Sequence, residues 1–175
     1  DRLHRRSALA PWPKRMTTRA NTVIELVRLR PAHVAALVDM LGAVAQQDAL
    51  HHFSPHGFDA DSVTTLCSHD RKDLYYVLKS DASVIGYGLL RGWEEGFATP
   101  SLGIAIHPSY RGEGFGTMLM GFLHSAARAR GAEQVRLRVH ASNDGAIALY
   151  RQLGYRFATP ADSQGLLVAH LQLKS

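Results

Sequence analysis

The stretch from Ser101 to Gly116 constrains the fold more than any other part of the chain. Ser101 to Ile106 is almost wholly apolar, as a strand covered on both faces is. Pro108 has no N–H to give a sheet ladder, so the strand ends there. Gly112, Gly114 and Gly116 follow. Phe115, Met118, Leu119, Phe122, Leu123 and Ala126 then recur at helical spacing. Gly131 stands where this helix stops, with Arg128 and Arg130 in its last turn. A buried strand that passes through glycines into a helix calls for a sheet with helices packed on it.

The glycines have a chemical use. The first turn of a helix carries free N–H groups and partial positive charge. Glycine lets an anion approach that backbone closely, so the segment is a candidate phosphate cradle. A P-loop would need a lysine, and none is present. The dinucleotide fingerprint would need glycine at 117, where Thr117 stands. Arg-Gly-x-Gly-x-Gly after a strand that ends in proline remains. It resembles the pyrophosphate loop of the GCN5-related N-acetyltransferases, which bind acetyl-CoA.

The rest of the chain reads as alternating elements. Thr22 to Leu29 is an apolar strand. Pro31 opens a helix that runs to about Gln46, with Val34, Leu37, Val38 and Leu41 on one face. Asp48 to Phe58 is irregular and holds His51, His52 and His56. No carboxylate or cysteine stands at ligand spacing to them, so no metal is expected. Asp59 to His69 is a second helix, capped by Asp59 or Asp61. Leu74 to Lys79 and Ser83 to Leu90 form a hairpin. Gly86 and Gly88 in its second strand point to close approach by a backbone or a ligand.

A loop from Gly92 to Pro100 carries Trp93, Glu94, Glu95 and Phe97. Beyond the long helix, Val135, Leu137 and Val139 alternate with Gln134, Arg136, Arg138 and His140, a strand with one polar face. Ser142 or Asn143 caps a helix that Gly154 stops. Two strands close the chain, starting at Tyr155 and Leu166. The expected fold is α/β, a mixed central β-sheet flanked by helices, with residues 20–175 as one domain.

This order, over residues 22 to 173, is similar to that of the GCN5-related N-acetyltransferase fold, the GNAT-like acyl-CoA N-acyltransferase fold. Asn143 to Tyr155 adds a second match, to the family's asparagine, aromatic-bearing helix and Gly-Tyr or Gly-Phe. The resemblance implies acetyl-CoA as donor and a primary amine as acceptor. It implies that Ile104, Ala105 and Ile106 run beside the donor, with the backbone of Ile104 and Ile106 pairing its pantetheine amides. It implies that the N–H groups of Arg111, Gly112, Glu113, Gly114, Phe115, Gly116 and Thr117 hold the pyrophosphate. The Glu113 side chain then turns outward. Asn143 either bonds the donor's amide portion or only caps its helix. Tyr150 is either the general acid toward the leaving thiolate or a core residue packed on Ile147.

The base is open. Many relatives carry a carboxylate on the strand before the loop, and Ser101 to Ile106 offers none. Glu94, Glu95, His52 and His56 are candidates, or the amine arrives neutral. His52, Phe53, Trp93 and Glu94 are candidate acceptor contacts on an aromatic and histidine-rich wall. That wall suits an amino sugar or another small amine. A peptide N-terminus is the alternative acceptor, and a non-catalytic acyl-CoA-binding module the alternative function.

Charge locates the remaining expectations. Residues 1–19 carry six arginines and lysines against Asp1 alone, while the rest of the 175 residues balances 14 basic with 14 acidic side chains. The body is therefore not a nucleic-acid binder by charge. The tail reads as a basic, disordered extension, with residues 1–15 upstream of a start at Met16. It has no apolar segment after its arginines, no run spans a membrane, and Cys67 stands alone, so the chain is expected in the cytoplasm. It is expected as a monomer or homodimer.

Overall fold

A computed structural model describes residues 22–48, 53–68 and 70–173. The basic extension, His51 and His52 lie outside the described residues.

The first strand, β1, is Ile24–Arg28, shorter at both ends than its apolar run. Pro31–His33 forms one 3-10 turn before helix α1, Val34–Asp48. Helix α2, Ala60–Thr65, starts where Asp59 Oδ1 accepts the Ser62 N–H at 2.8 Å. It stops short of the expected His69, and Arg71 Nε donates to the freed Thr65 carbonyl at 2.9 Å. Strands β2, Leu74–Ser80, and β3, Ser83–Arg91, make the hairpin. Then come β4, Ser101–Ile106; α3, Phe115–Ala129; β5, Gln134–His140; α4, Asp144–Gln152; β6, Arg156–Ala158; and β7, Leu166–Gln172.

Among the described residues the strands form one seven-stranded sheet in the order β1-β2-β3-β4-β5-β7-β6. β1 to β4 is an antiparallel meander, and β5, β7 and β6 are antiparallel to one another. Only β4 and β5 run parallel.

Helix α1 buries Leu37, Met40, Leu41 and Val44 on one face of the sheet, against Tyr75, Val77, Tyr87 and Leu89. Helices α3 and α4 cover the other face through Leu119, Met120, Leu123, Ile147 and Tyr150. Leu119 and Leu123 are wholly buried, so truncating either to alanine costs about 2–5 kcal/mol. Gly88 of β3 serves this packing, while Gly86 makes room for Leu78 and Ile106 of the neighbouring strands. A Cβ on Gly88 would stand 3.0 Å from Leu123 Cδ1 and 3.1 Å from Leu119 Cδ1, so the close approach there is that of helix α3.

The buried stripe of α3 differs from the one its sequence spacing predicts. Met118 is 40% exposed, while Met120, His124 and Ala127 are buried. The helix is covered by the sheet and flanked by α4's cluster, so its contact face is wider than a single row. His124 is tolerated inside because its Nε2 pairs with the Tyr155 hydroxyl at 2.8 Å.

Candidate functional site

The sheet opens between β4 and β5. Ser101 and Arg136 face each other, and the Arg136 N–H donates to the Pro100 carbonyl at 3.0 Å. Beyond that rung no further residue of β4 pairs with β5.

The register says which backbone groups face the gap. His107 N–H donates to the Ile85 carbonyl at 2.8 Å, which makes these two a hydrogen-bonded pair. Alternation along an antiparallel ladder then turns the main chain of Ala105 and Gly103 toward β3. The main chain of Leu102, Ile104 and Ile106 turns away from β3, as that of Pro100 does. Arg111 Nε caps the Ile106 carbonyl at 3.1 Å. The edge presented to the gap is therefore that of Leu102 and Ile104. Ala105 gives it no backbone group and buries its side chain toward α1.

This edge leads to the glycine turn. Gly112 and Gly114 have φ of +78° and +88°, a region where a side chain strains the backbone. Gly114 is the N-cap of α3 and offers no side-chain oxygen, and the first intrahelical bond is Met118 N–H to the Gly114 carbonyl at 3.1 Å. The N–H groups of Phe115, Gly116 and Thr117 thus have no helical acceptor. No atom outside the turn stands within 4 Å of a Cβ placed on Gly112. The turn is a donor-rich concavity of the kind that holds a phosphate. Phe115 contributes only its N–H, because its ring is buried with Leu78 and Ile85. Glu113 and Phe115 do not line the cleft, whereas Arg111, Gly112, Gly114, Gly116 and Thr117 do.

The opposite wall is α4. Asn143 caps it, its Oδ1 accepting the Ala146 N–H at 3.1 Å, and also borders the cleft. Gly154, at φ +92°, reverses the chain so that the Tyr155 N–H reaches the Tyr150 carbonyl at 3.0 Å. That places the two tyrosine rings 5.6 Å apart. Tyr150 is 7% exposed yet lines the cleft, and among the described residues its hydroxyl has no hydrogen-bond partner. Burial pushes its pKa up to about 12. It therefore stays protonated and can act as a proton donor.

The cleft has two halves. The one between β4, the glycine turn and α4 measures ≈ 910 Å³. The other, ≈ 780 Å³, lies toward β7 and the loop after β3. They share Phe53, Leu102, Gly103 and Arg138, so they are continuous. The second half is lined by Arg91, Arg136, Arg138, His170 and Glu95, with Phe97, 60% exposed, at its lip.

Two expected acceptor contacts point elsewhere. Trp93 packs against the α3-side core, with the Arg130 guanidinium 5.0 Å from its ring centroid. Glu94 is paired with Arg71 at 2.9 Å. Both directions are set by Asp73, which is buried and whose Oδ1 accepts from the N–H groups of Gly92, Trp93 and Glu94 at 3.0, 2.9 and 3.3 Å. Glu95, one residue on, lines the cleft instead.

His56 is also committed. Its Nδ1 donates to the Gly57 carbonyl at 2.6 Å, and its Nε2 lies 2.8 Å from the Tyr87 hydroxyl. Burial lowers its pKa, so the neutral ring accepts from Tyr87. Phe53 does reach the cleft, edge-on to Tyr87 at 88°.

Sequence reasoning missed Arg91, Arg136, Arg138 and His170. The signal was the polar alternation of β5. A polar face on a strand with neighbours on both sides is a lining and not a solvent face, once a cavity lies over it.

Comparison with known proteins adds the following. A model of the acetyltransferase (GNAT) family matches residues 39–155. An acetyltransferase of Sodalis glossinidius is 32% identical over 88 residues, 50% of this chain and 60% of that relative. The chain thus spans about 60% of the length of such curated relatives. An N-acetyltransferase from Staphylococcus aureus Mu50 superposes with a TM-score of 0.72 at 21% identity, over 87% of this chain and 99% of that one. The paia N-acetyltransferase of Thermoplasma acidophilum, solved in complex with coenzyme A, superposes with 0.71 at 14% identity, over 86% and 99%.

Proposed function

The chain belongs to the acetyltransferase (GNAT) family, and on that premise we propose that it moves an acetyl group from acetyl-CoA to a primary amine of a small molecule, such as an amino sugar. The observation that carries this reading is the open edge of Leu102 and Ile104 running into the uncapped start of α3. An extended amide-bearing chain can add to such an edge as a short strand does. A pyrophosphate at its far end would meet the N–H groups of the glycine turn.

Acetyl-CoA supplies the acetyl group as a thioester. The residues of the chain supply the rest. The main chain of Ile104 orients the donor, and the turn from Arg111 to Thr117 anchors it. Tyr150, protonated at every physiological pH, gives its proton or a hydrogen bond to the departing sulfur. The amine approaches from the half of the cleft that holds Glu95. Glu95 is the one carboxylate among the described residues that line either half. It is the group available to draw the ammonium proton, directly or through water.

The test is release of free thiol from acetyl-CoA against a panel of amines. Acetylation of a small amine supports the reading. Tight acetyl-CoA binding with no turnover on any amine, peptide N-termini included, would make the protein a non-catalytic acyl-CoA binder.

A further inference from the structure

The half of the cleft toward β7 has an unusual charge. Arg91, Arg136, Arg138 and His170 line it, against Glu95 alone among carboxylates. Register explains how they meet. Ser101, Arg136 and His170 lie opposite one another on β4, β5 and β7, so their side chains share one face in one row. Arg138, two residues along β5, projects from that same face.

Two of the arginines have partners in the protein. Arg138 pairs with Asp162 at 2.8 Å, and Arg91 donates to the Pro55 carbonyl. Arg136 does not follow them. Its Nε is buried without a hydrogen-bond partner. A buried N–H of this kind calls for an acceptor, and a cationic fork in a cavity suits a planar or tetrahedral oxyanion.

We propose that this half of the cleft selects acceptor amines that also carry an oxyanion, a carboxylate or a phosphate, and that Arg136 is the residue that receives it. The proposal rests on the acetyltransferase reading above and names its substrate class. The same positive charges disfavour the ammonium form of the amine, so they favour the nucleophilic neutral form. They repel polyamines. Phe53 and Phe97 give the carbon skeleton of the substrate an apolar surface.

The experiment compares matched amines on the full chain. Phenylalanine is set against phenylalaninamide, and a hexosamine phosphate against the free hexosamine, with a polyamine as the opposite extreme. The anionic member of at least one pair should be preferred in kcat/KM by about tenfold to a hundredfold, as a charge-assisted bond to arginine gives. Which pair shows the preference tells carboxylate from phosphate. Arg136→Gln should remove most of that preference through KM while acetyl-CoA affinity, read by calorimetry, is unchanged. If that variant does not fold, Arg91→Gln and the wild-type pairs still decide. Equal or better turnover of the neutral members or the polyamine would overturn the proposal, as would an Arg136→Gln loss shared equally by both members. Acetyl-CoA binding with no acetylation of any anionic amine would overturn it too. Failure to bind acetyl-CoA at all would instead sink the acetyltransferase reading.

Discussion

Ser101 and Arg136 face each other across the only rung that joins β4 to β5 among the described residues. Everything assigned to the site depends on what happens on either side of that rung. Toward Ile106 the strands part and leave a backbone edge. On the face above it, Arg136 lines the half of the cleft toward β7.

Tyr150→Phe keeps the ring and removes the hydroxyl. Stability should change little, because the hydroxyl has no protein partner to orphan among the described residues. Acetyl-CoA affinity should hold, and kcat should fall by roughly tenfold to a hundredfold, the share of a single acid catalyst. Unchanged turnover, in an assay limited by chemistry, would leave Tyr150 as a packing residue.

Gly116 is the cleanest probe of the turn. Its φ is ordinary, and an added Cβ meets Leu149 Cδ2 at 3.6 Å, a normal contact. Gly116→Ala should fold and bind acetyl-CoA with modest loss. Gly116→Asp should fold and lose binding, because its charge would sit where a phosphate belongs. Equal calorimetric affinity for both variants would remove the turn from the donor site.

Glu95→Gln tests the proposed base. At about neutral pH, where amines are protonated, kcat/KM should fall roughly tenfold. The deficit should close as pH rises through the pKa of the amine itself. A deficit that persists at high pH would assign Glu95 to binding and not to proton removal.

Asp73 ties down the loop that carries Glu95 and Phe97. Asp73→Ala strips three N–H groups of their acceptor and should destabilise the protein by about 3 kcal/mol in urea unfolding. In the folded fraction KM for the acceptor should rise while acetyl-CoA affinity holds. Asp73→Asn, which keeps an oxygen, should fall between. If alanine costs nothing, the loop is held by other contacts.

His124 sets an acid limit. Burial holds its imidazole neutral and lowers its pKa from 6.5 to about 4. The unfolded chain takes up the proton first as pH falls. The contribution is therefore complete above 6.5 and is lost as pH falls toward 4, roughly 2–3 kcal/mol across the window. His124→Gln cannot titrate, and its urea midpoint should vary less between about pH 7 and pH 5 than that of the parent. Equal variation in both proteins would place the acid-sensitive group elsewhere.

The elements were legible because each carries its own period: apolar runs for β3 and β4, alternation for β5, helical spacing for α1, α3 and α4. The glycine turn and the placing of Tyr150 beside the cleft were legible because each is local, a few residues on one strand-to-helix or helix-to-strand passage. The half of the cleft toward β7 was not. Arg91, Arg136 and His170 come from three strands, and only register brings them together. Trp93 and Glu94 were misread because a carboxylate about 20 residues earlier aims their loop. His52 lies outside the described residues.

An open sheet edge is ordinarily a hazard, since any passing strand can dock on it. Here the edge of Leu102 and Ile104 lies inside the molecule, walled by α3 and α4 on one face and by Phe53 on the other. The groups that make an outer edge sticky are turned inward, where the proposed donor, a slender chain with amides along it, would meet them.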